Sequence, residues 1–281
     1  PKDAPVILLV MGLGGQLTLW PDEFVDALNA RGFRTIRYDN RDVGLSTRFD
    51  AAGVPNVKWM VVKSMLGLPV RPAYTLADMA ADGIALLDHL GIARAHVVGA
   101  SMGGMISQHI AARYPERVLS LTSVMSTTGN RRLPRAKKEA MQVLANRPMS
   151  GDKEALIAYS VNAARVIGSP GYPSAEDRLQ RRVRADFERG WYPQGVARQM
   201  AAIIADGDRR ALLKSVKAPT LVIHGEDDPL VPLPGGRDTA DNIAGARLLT
   251  IPGMGHDLPL ALVDTMADAI AEHAKAVAVA A

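Results

Sequence analysis

Three separated stretches of this sequence carry residue types that together support nucleophilic chemistry. Gly99-Ala100-Ser101-Met102-Gly103 fits the pattern G-x-S-x-G, with a predicted strand (Ala95 to Val98) before it and a predicted helix (Met105 to Tyr114) after it. The chemistry requires that context. The serine must protrude from a sharp, strained turn, and the flanking glycines leave room for the backbone to double back. The helix behind it points its positive end at developing negative charge. An incidental serine in a strand–turn–helix would give the same string, so the reading depends on a base and an orienting acid elsewhere in the chain.

A serine hydroxyl is a poor nucleophile at neutral pH unless a base lies within hydrogen-bond reach and a third group holds that base in the right tautomer. Of the six histidines, only His256 sits in a Gly-rich loop after the last predicted strand. His89 and His273 fall in predicted helices and read as surface residues. His96 opens a strand, His109 lies in the helix behind Ser101, and His224 ends a strand and reads as packing. Three acids follow the Thr220 strand: Glu226, Asp227 and Asp228. A solvated turn would also account for them. The spacing Gly225-x-x-Asp228-Pro229 favours Asp228 over Asp227, with Glu226 third. The resulting chain order is Ser, Asp, His.

Acyl transfer also needs donors for the oxyanion. The backbone N–H of Met102, the residue after the serine, is one candidate. The loop after the opening strand supplies the other, with Leu13 favoured. Gly12, Gly14 and Gly15 let that loop approach closely. It matches neither the P-loop pattern nor a full G-x-G-x-x-G, so no nucleotide cofactor is expected. There is no H-E-x-x-H and no paired metal-ligand spacing, so no metal is expected either.

These loops need a frame. Val6-Ile7-Leu8-Leu9-Val10 is apolar without alternation, which marks a strand buried on both faces of a parallel sheet. A helix from Pro21, a strand over Phe33 to Tyr38, and a helix capped by Thr75 and running to about Leu90 follow. Strands are predicted at Val118 to Val124, Thr220 to His224 and Ala246 to Ile251, and helices at Asp238 to Ala244 and Asp264 to Lys275. Residues 47–74 read as irregular, with prolines at 55, 69 and 72. From 126 to 215 the alternation stops. The chain there reads as helical and basic, broken at Pro148, Gly168 to Pro173, and Gly190 to Gly195. The expected architecture is an α/β, doubly wound, mostly parallel sheet from 1–125 and 216–281, with a helical cap inserted at 126–215. In such sheets ligands bind outside the carboxyl ends of the strands, where all the loops named above emerge. Met141, Met149, Met200, Tyr159, Tyr172, Trp191 and Tyr192 are the cap's large side chains, mostly its own core. The adaptable methionines hint at an apolar acyl or alcohol group. Trp59, Met60 and Met65 are expected over the same cavity.

Composition narrows the classes. The chain has 281 residues, 48% of them hydrophobic and 22% charged, with 33 Lys+Arg against 29 Asp+Glu. That is ordinary globular usage. The absence of cysteine excludes a disulfide scaffold, a thiol nucleophile and thiolate-bound metals. The densest basic run, Arg131, Arg132, Arg135, Lys137 and Lys138, lacks aromatic interleaving and reads as a solvated helix face, so no nucleic-acid partner is expected. No apolar run is long enough for a membrane span. Pro1-Lys2-Asp3-Ala4-Pro5 is not a signal peptide, which points to the cytoplasm, and the missing Met suggests that residues upstream are absent.

The motifs together resemble the α/β-hydrolase superfamily. The likeness is carried by Gly12-Leu13-Gly14-Gly15, Tyr38 to Ser46 (YDNRDVGLS), Val97 to Gly104 (VVGASMGG), His224 to Pro232 (HGEDDPLVP) and Gly253-Met254-Gly255-His256. Within it the sequence is similar to bacterial esterases related to aclacinomycin methylesterase, and more distantly to cofactor-free haloperoxidases. That resemblance implies Ser101 as nucleophile, His256 as base, Asp228 as its orienter, and Leu13 and Met102 as oxyanion donors. It implies a small-molecule ester substrate and no cofactor; a homo-oligomer is compatible with it. Arg41, Gly44 and Ser46 match a loop motif read as structural. Two features depart from the pattern. Met11 stands where many relatives have His, which a backbone donor does not need. The first strand here is the one that usually follows an N-terminal β-hairpin. A serine rather than an aspartate at position 101 directs the chemistry to carbonyl carbon. Carboxylic-ester hydrolysis is the leading expectation. The alternatives are perhydrolysis, thioester hydrolysis or C–C cleavage by the same triad, and, remotely, a non-enzymatic ligand receptor.

Overall fold

The computed structural model describes residues 4–279; the reading of Pro1, Lys2 and Asp3 lies outside them. Six strands form one all-parallel sheet: β1 (Val6–Val10), β2 (Arg34–Arg37), β3 (Ala95–Ala100), β4 (Val118–Val124), β5 (Thr220–Gly225) and β6 (Arg247–Ile251). Their order is β2-β1-β3-β4-β5-β6. The direction of winding therefore reverses between β1 and β3, and the loops leaving those two strands flank the crevice where this architecture binds ligands. The central strands β1, β3 and β5 are buried along their whole length, whereas the edge strands β2 and β6 are largely half-exposed.

Alternate strand residues feed two cores. Leu8, Val10, Val97 and Leu121 face α3 (Leu76–His89) and α4 (Met102–Arg113), meeting Met79, Leu87, Ile106 and Ile110. Ile7, Leu9, Val98 and Ile223 face α1 (Asp22–Ala30) and α11 (Val263–Val279), meeting Phe24, Leu28, Met266 and Ile270. A capping box of Thr75 and Asp78 starts α3.

Two helices outside the serine turn depart from the sequence expectation. In the stretch read as irregular, α2 (Val57–Met65) forms with Asn56 accepting from the Trp59 N–H at 3.0 Å. The helix α10 (Pro234–Asp241) begins four residues before the expected Asp238, on Pro-Gly-Gly. Proline suits a first turn, and Gly236 must be small because a Cβ there would sit 2.8 Å from the His224 ring carbon Cγ.

Between β4 and β5 run α5 (Lys138–Ala145), α6 (Lys153–Ile167), α7 (Glu176–Gly190), α8 (Pro193–Asp206) and the short α9 (Arg210–Leu213). Ile157, Val161 and Leu179 make a small core of their own between α6 and α7. The basic run is solvated as expected, but residues 131–137 precede α5 in a turn and loop, so it is not a helix face. Among the described residues no helix is long and apolar enough to cross a membrane.

Candidate active site

Ser101 joins β3 to α4 with φ 57° and ψ −120°, a region that L-residues occupy only under constraint. The surroundings supply that constraint. The Ser101 N–H donates to the Val124 carbonyl at 2.9 Å, and its own carbonyl accepts from Ser126 Oγ at 2.8 Å and the Gly104 N–H at 2.9 Å. The motif glycines are steric necessities. A Cβ on Gly103 would run into the Val10 carbonyl, and one on Gly104 would stand 2.6 Å from Ser126 Cβ. That close approach lets α4 begin at Met102, three residues before the expected start.

Asp228, His256 and Ser101 form one hydrogen-bonded chain. Asp228 is buried, and its Oδ1 accepts the N–H groups of Leu230 at 2.9 Å and Val231 at 2.8 Å. Its Oδ2 lies 2.7 Å from His256 Nδ1. A carboxylate can only accept, so Nδ1 carries the proton and Nε2 presents a lone pair to Ser101 Oγ, 3.0 Å away. Asp227 and Glu226 are exposed and occupied elsewhere. Asp227 accepts the Gly253 N–H at 2.9 Å and Glu226 accepts the Thr250 hydroxyl at 2.8 Å. The sequence ranked the three acids in this order. The geometry adds the reason: only Asp228 turns inward onto two backbone N–H groups.

The His256 loop also depends on the segment between α6 and α7, which the sequence reading treated only as a break. The His256 N–H donates to the Ile167 carbonyl at 2.7 Å, Gly255 N–H donates to Ser169 Oγ at 2.8 Å, and Gly171 N–H donates to the Gly253 carbonyl at 2.9 Å. Ser169 in turn donates to Asp257. Burial pushes the Asp257 carboxyl above the usual range, against the opposing pull of Ser169 and Arg182.

The loop after β1 comes up beside the serine. A Cβ on Gly12 would stand 3.0 Å from Ser101 Cβ and 3.1 Å from the Ala100 carbonyl. Asn40 Nδ2 holds the Met11 carbonyl at 2.8 Å, and Gln199 Oε1, from α8, accepts the Gly14 N–H at 2.8 Å. Among the described residues, no hydrogen bond uses the N–H of Leu13 or of Met102.

The 38–46 motif is structural, as expected. The Asp39 carboxylate takes the N–H of Leu17 at 2.8 Å, the N–H of Leu45 at 3.0 Å and Arg189 Nη1 at 2.7 Å. Arg41 clamps Asp82 at 2.6 and 2.7 Å. Asp42 (φ 67°) pairs with the buried Arg198 of α8 at 2.8 and 2.9 Å and accepts the Tyr74 hydroxyl at 2.7 Å. Burial alone would raise the Asp42 carboxyl, but these partners outweigh it and hold it below its ordinary value.

Of the other histidines, His96, His109, His224 and His273 are buried and His89 is exposed. Burial pushes His96 down to about 4, and lowers His224 and His273 as well. His273, expected at the surface, is buried with Nε2 on the Pro219 carbonyl at 3.1 Å. Its helix face packs on the sheet, so one turn of α11 turns an imidazole inward. Among the described residues no group of His, Asp and Glu is arranged to hold a metal ion.

Ser101 and His256 open onto a cavity of ≈ 540 Å³ between the strand-end loops and α5–α8. The large side chains expected mostly in a core of their own between these helices turn out otherwise: Met141, Tyr159, Trp191, Tyr192 and Met200 line the cavity. Met149 is exposed, and Tyr172 packs against the α1/α11 core. Trp59 and Met60 line a separate groove with Pro55, Lys63 and Pro69, and Met65 is exposed, so the α2 segment does not cover this cavity.

Comparison with known proteins bears on the family and the fold. A family model described as the alpha/beta hydrolase fold matches residues 5–260. Rhodomycin D methylesterase DauP of Streptomyces sp. (strain C5) is 33% identical over 301 residues, covering 99% of this chain and 93% of that protein. A pimeloyl-acyl-carrier-protein methyl ester esterase of Chromobacterium violaceum is 30% identical over 208 residues, covering 73% and 78%. Among solved structures, the enol-lactonase from Burkholderia xenovorans LB400 superposes with a TM-score of 0.70 at 25% identity, covering 97% of this chain and 92% of that one.

Proposed function

The chain belongs to the alpha/beta hydrolase fold family, and from that premise we propose that it is a serine-dependent carboxylic-ester hydrolase acting through an acyl-enzyme on small to medium, largely apolar esters. The observation that carries the reading is the relay Asp228–His256–Ser101, with distances of 2.7 and 3.0 Å and a tautomer fixed by the carboxylate. Ser101 Oγ attacks the ester carbonyl while His256 Nε2 takes its proton, and Asp228 stabilises the imidazolium. The carbonyl oxygen, now an oxyanion, is received by the N–H groups of Met102 and Leu13, neither of which is spent on another acceptor. His256 then protonates the leaving alkoxide and afterwards activates water, which attacks the acyl carbon and returns the enzyme to its starting state. Helices α5–α8 act as the cap that shapes the acyl and alcohol sites. The likeness to two methyl ester esterases supports methanol as the leaving group.

Initial rates on p-nitrophenyl acetate and on a panel of methyl esters, thioesters and β-diketones test this. Esters are expected to turn over fastest. Ser101→Ala is expected to lower kcat by about 10⁶-fold and to abolish stoichiometric labelling by a fluorophosphonate. A folded Ser101→Ala protein with wild-type turnover refutes the reading.

A further inference from the structure

Three guanidinium groups line the cavity: Arg135, Arg147 and Arg182. Among the described residues Arg182 makes no direct ion pair and its buried Nε has no hydrogen-bond partner, but the carboxylates of Asp186 and Asp257 are near enough to favour its charge. Arg135 is exposed. Arg147 is different. It projects from the segment between α5 and α6 to the oxyanion loop, where a Cβ on Gly14 would meet its Nη1 at 2.9 Å and Val196 Cγ2 at 2.8 Å. Burial is extensive enough to lower its pKa, with Tyr159 the one group pulling the other way. Among the described residues it has neither an ion-pair partner nor a hydrogen-bond acceptor. Tyr159 does not serve, because its hydroxyl is committed to the Val143 carbonyl at 2.5 Å. The side chain is half-buried, and a cation on a cavity wall with no counter-charge of its own is free to pair with an anion that enters. Here the space in front of the guanidinium is the substrate cavity itself.

We propose that Arg147 receives a carboxylate carried by the substrate, so that the preferred esters are half-esters of short dicarboxylic acids. This rests on the ester-hydrolase reading above and narrows its substrate class to esters whose apolar chain ends in a carboxylate. Bidentate pairing with a carboxylate is the contact a guanidinium makes best. The loop sets an upper limit on the span. Gly12 abuts Ser101 and Gly14 abuts Arg147, and two residues of chain reach at most about 7 Å between Cα atoms, so with the two Cα–Cβ bonds Nη1 lies within about 16 Å of Ser101 Cβ. Allowing about 3 Å for the ion pair and about 4 Å for the serine and its attack distance leaves at most about 9 Å between ester carbon and carboxylate. Glutaryl and adipyl chains fall within that limit. The cavity lining, which includes Met105, Val196 and Met200, suits their methylenes.

The test compares kcat/KM for monomethyl adipate with that for methyl hexanoate, which replaces the carboxylate by a methyl group. The wild type is expected to prefer the half-ester by about tenfold or more, mainly through KM. Arg147→Met and Arg147→Gln are expected to bring the ratio to about one, Arg147→Lys to keep part of it, and the exposed Arg132→Gln, outside the cavity, to leave it as it was. Adipate itself, the product, is expected to raise the thermal midpoint of the wild type and not of Arg147→Met. A wild type indifferent to the carboxylate, or a ratio untouched by both Arg147→Met and Arg147→Gln, overturns the proposal. If no ester is turned over yet adipate stabilises only proteins that retain Arg147, the hydrolase reading fails and the anion site stands.

Discussion

Replacing Asp228 by asparagine exchanges a single oxygen for an NH₂ and is expected to stop the reaction. Oδ1 of Asp228 accepts two backbone N–H groups, from Leu230 at 2.9 Å and Val231 at 2.8 Å. An asparagine must put its carbonyl oxygen on that side, which turns its NH₂ towards His256 Nδ1, 2.7 Å from the present Oδ2. Two donors cannot face each other at that distance, so the imidazole proton moves to Nε2. That N–H then meets Ser101 Oγ, 3.0 Å away, as a donor. The heavy atoms stay in place while the base is lost. In the serine-protease triad the corresponding change lowers kcat by about 10⁴-fold, equivalent to about 5.4 kcal/mol of barrier, and the same order is expected here. Asp227→Asn is the matched control. Its carboxylate accepts the Gly253 N–H from an exposed turn, so its rate should stay within about threefold of wild type. The assay is kcat on p-nitrophenyl acetate, with folding checked by circular dichroism and thermal midpoint. A folded Asp228→Asn enzyme keeping more than about a tenth of wild-type kcat refutes the tautomer argument.

Two further outcomes follow from the packing and the buried imidazoles. Gly103→Ala is expected to lose about 3 kcal/mol or more, because its Cβ would meet the Val10 carbonyl and lie 2.8 Å from the Met11 oxygen, both backbone atoms with nowhere to go; an unchanged urea midpoint would contradict this. His96, with burial holding it at about 4 against an ordinary value of about 6.5, stays neutral in the folded chain while the unfolded chain protonates. Its contribution is therefore complete above pH about 6.5 and is lost as pH falls towards 4, amounting to about 2 kcal/mol between pH 7 and 5. His224 and His273, also lowered, act in the same direction, while Asp186 and Asp257, raised by burial, oppose it. Urea denaturation of wild type and His96→Gln at both pH values isolates the imidazole; equal pH slopes for the two proteins would rule it out.

What the sequence revealed and what it hid follow from how local each signal is. The serine turn, the order of the three loops and the fully buried strands are written in contiguous residues, so each could be read without knowing the fold. The choice of Asp228 over Asp227 followed spacing, yet its cause, the inward turn onto the N–H groups of Leu230 and Val231, is a matter of three-dimensional shape. The α2 helix was hidden because its apolar residues are spread round the axis and several stay exposed, so no periodic stripe marks it. The start of α10 was hidden by Gly235 and Gly236, which make room for Thr127 and for the His224 ring rather than for a turn. Arg147 gave no signal at all. A single arginine before Pro148 looks like any loop cation until the oxyanion loop is seen against it.

The bonds from α8 to the strand-end loops have a bearing on how such a protein can change. Gln199 bridges the Gly14 N–H and the Arg41 carbonyl at 2.8 and 2.7 Å, and Arg198 is locked to Asp42. On the far side, the chain leaving α6 carries the backbone of His256. The inserted helices thus grip the machinery at both flanks, like a bracket rather than a flap. A chimera that imports another protein's insert must import matching partners for Gly14, Asp42 and His256, or it will forfeit speed before it gains a new substrate. Diversification is freest in α5 and the turn after it, which make none of these attachments and hold the arginine facing the cavity.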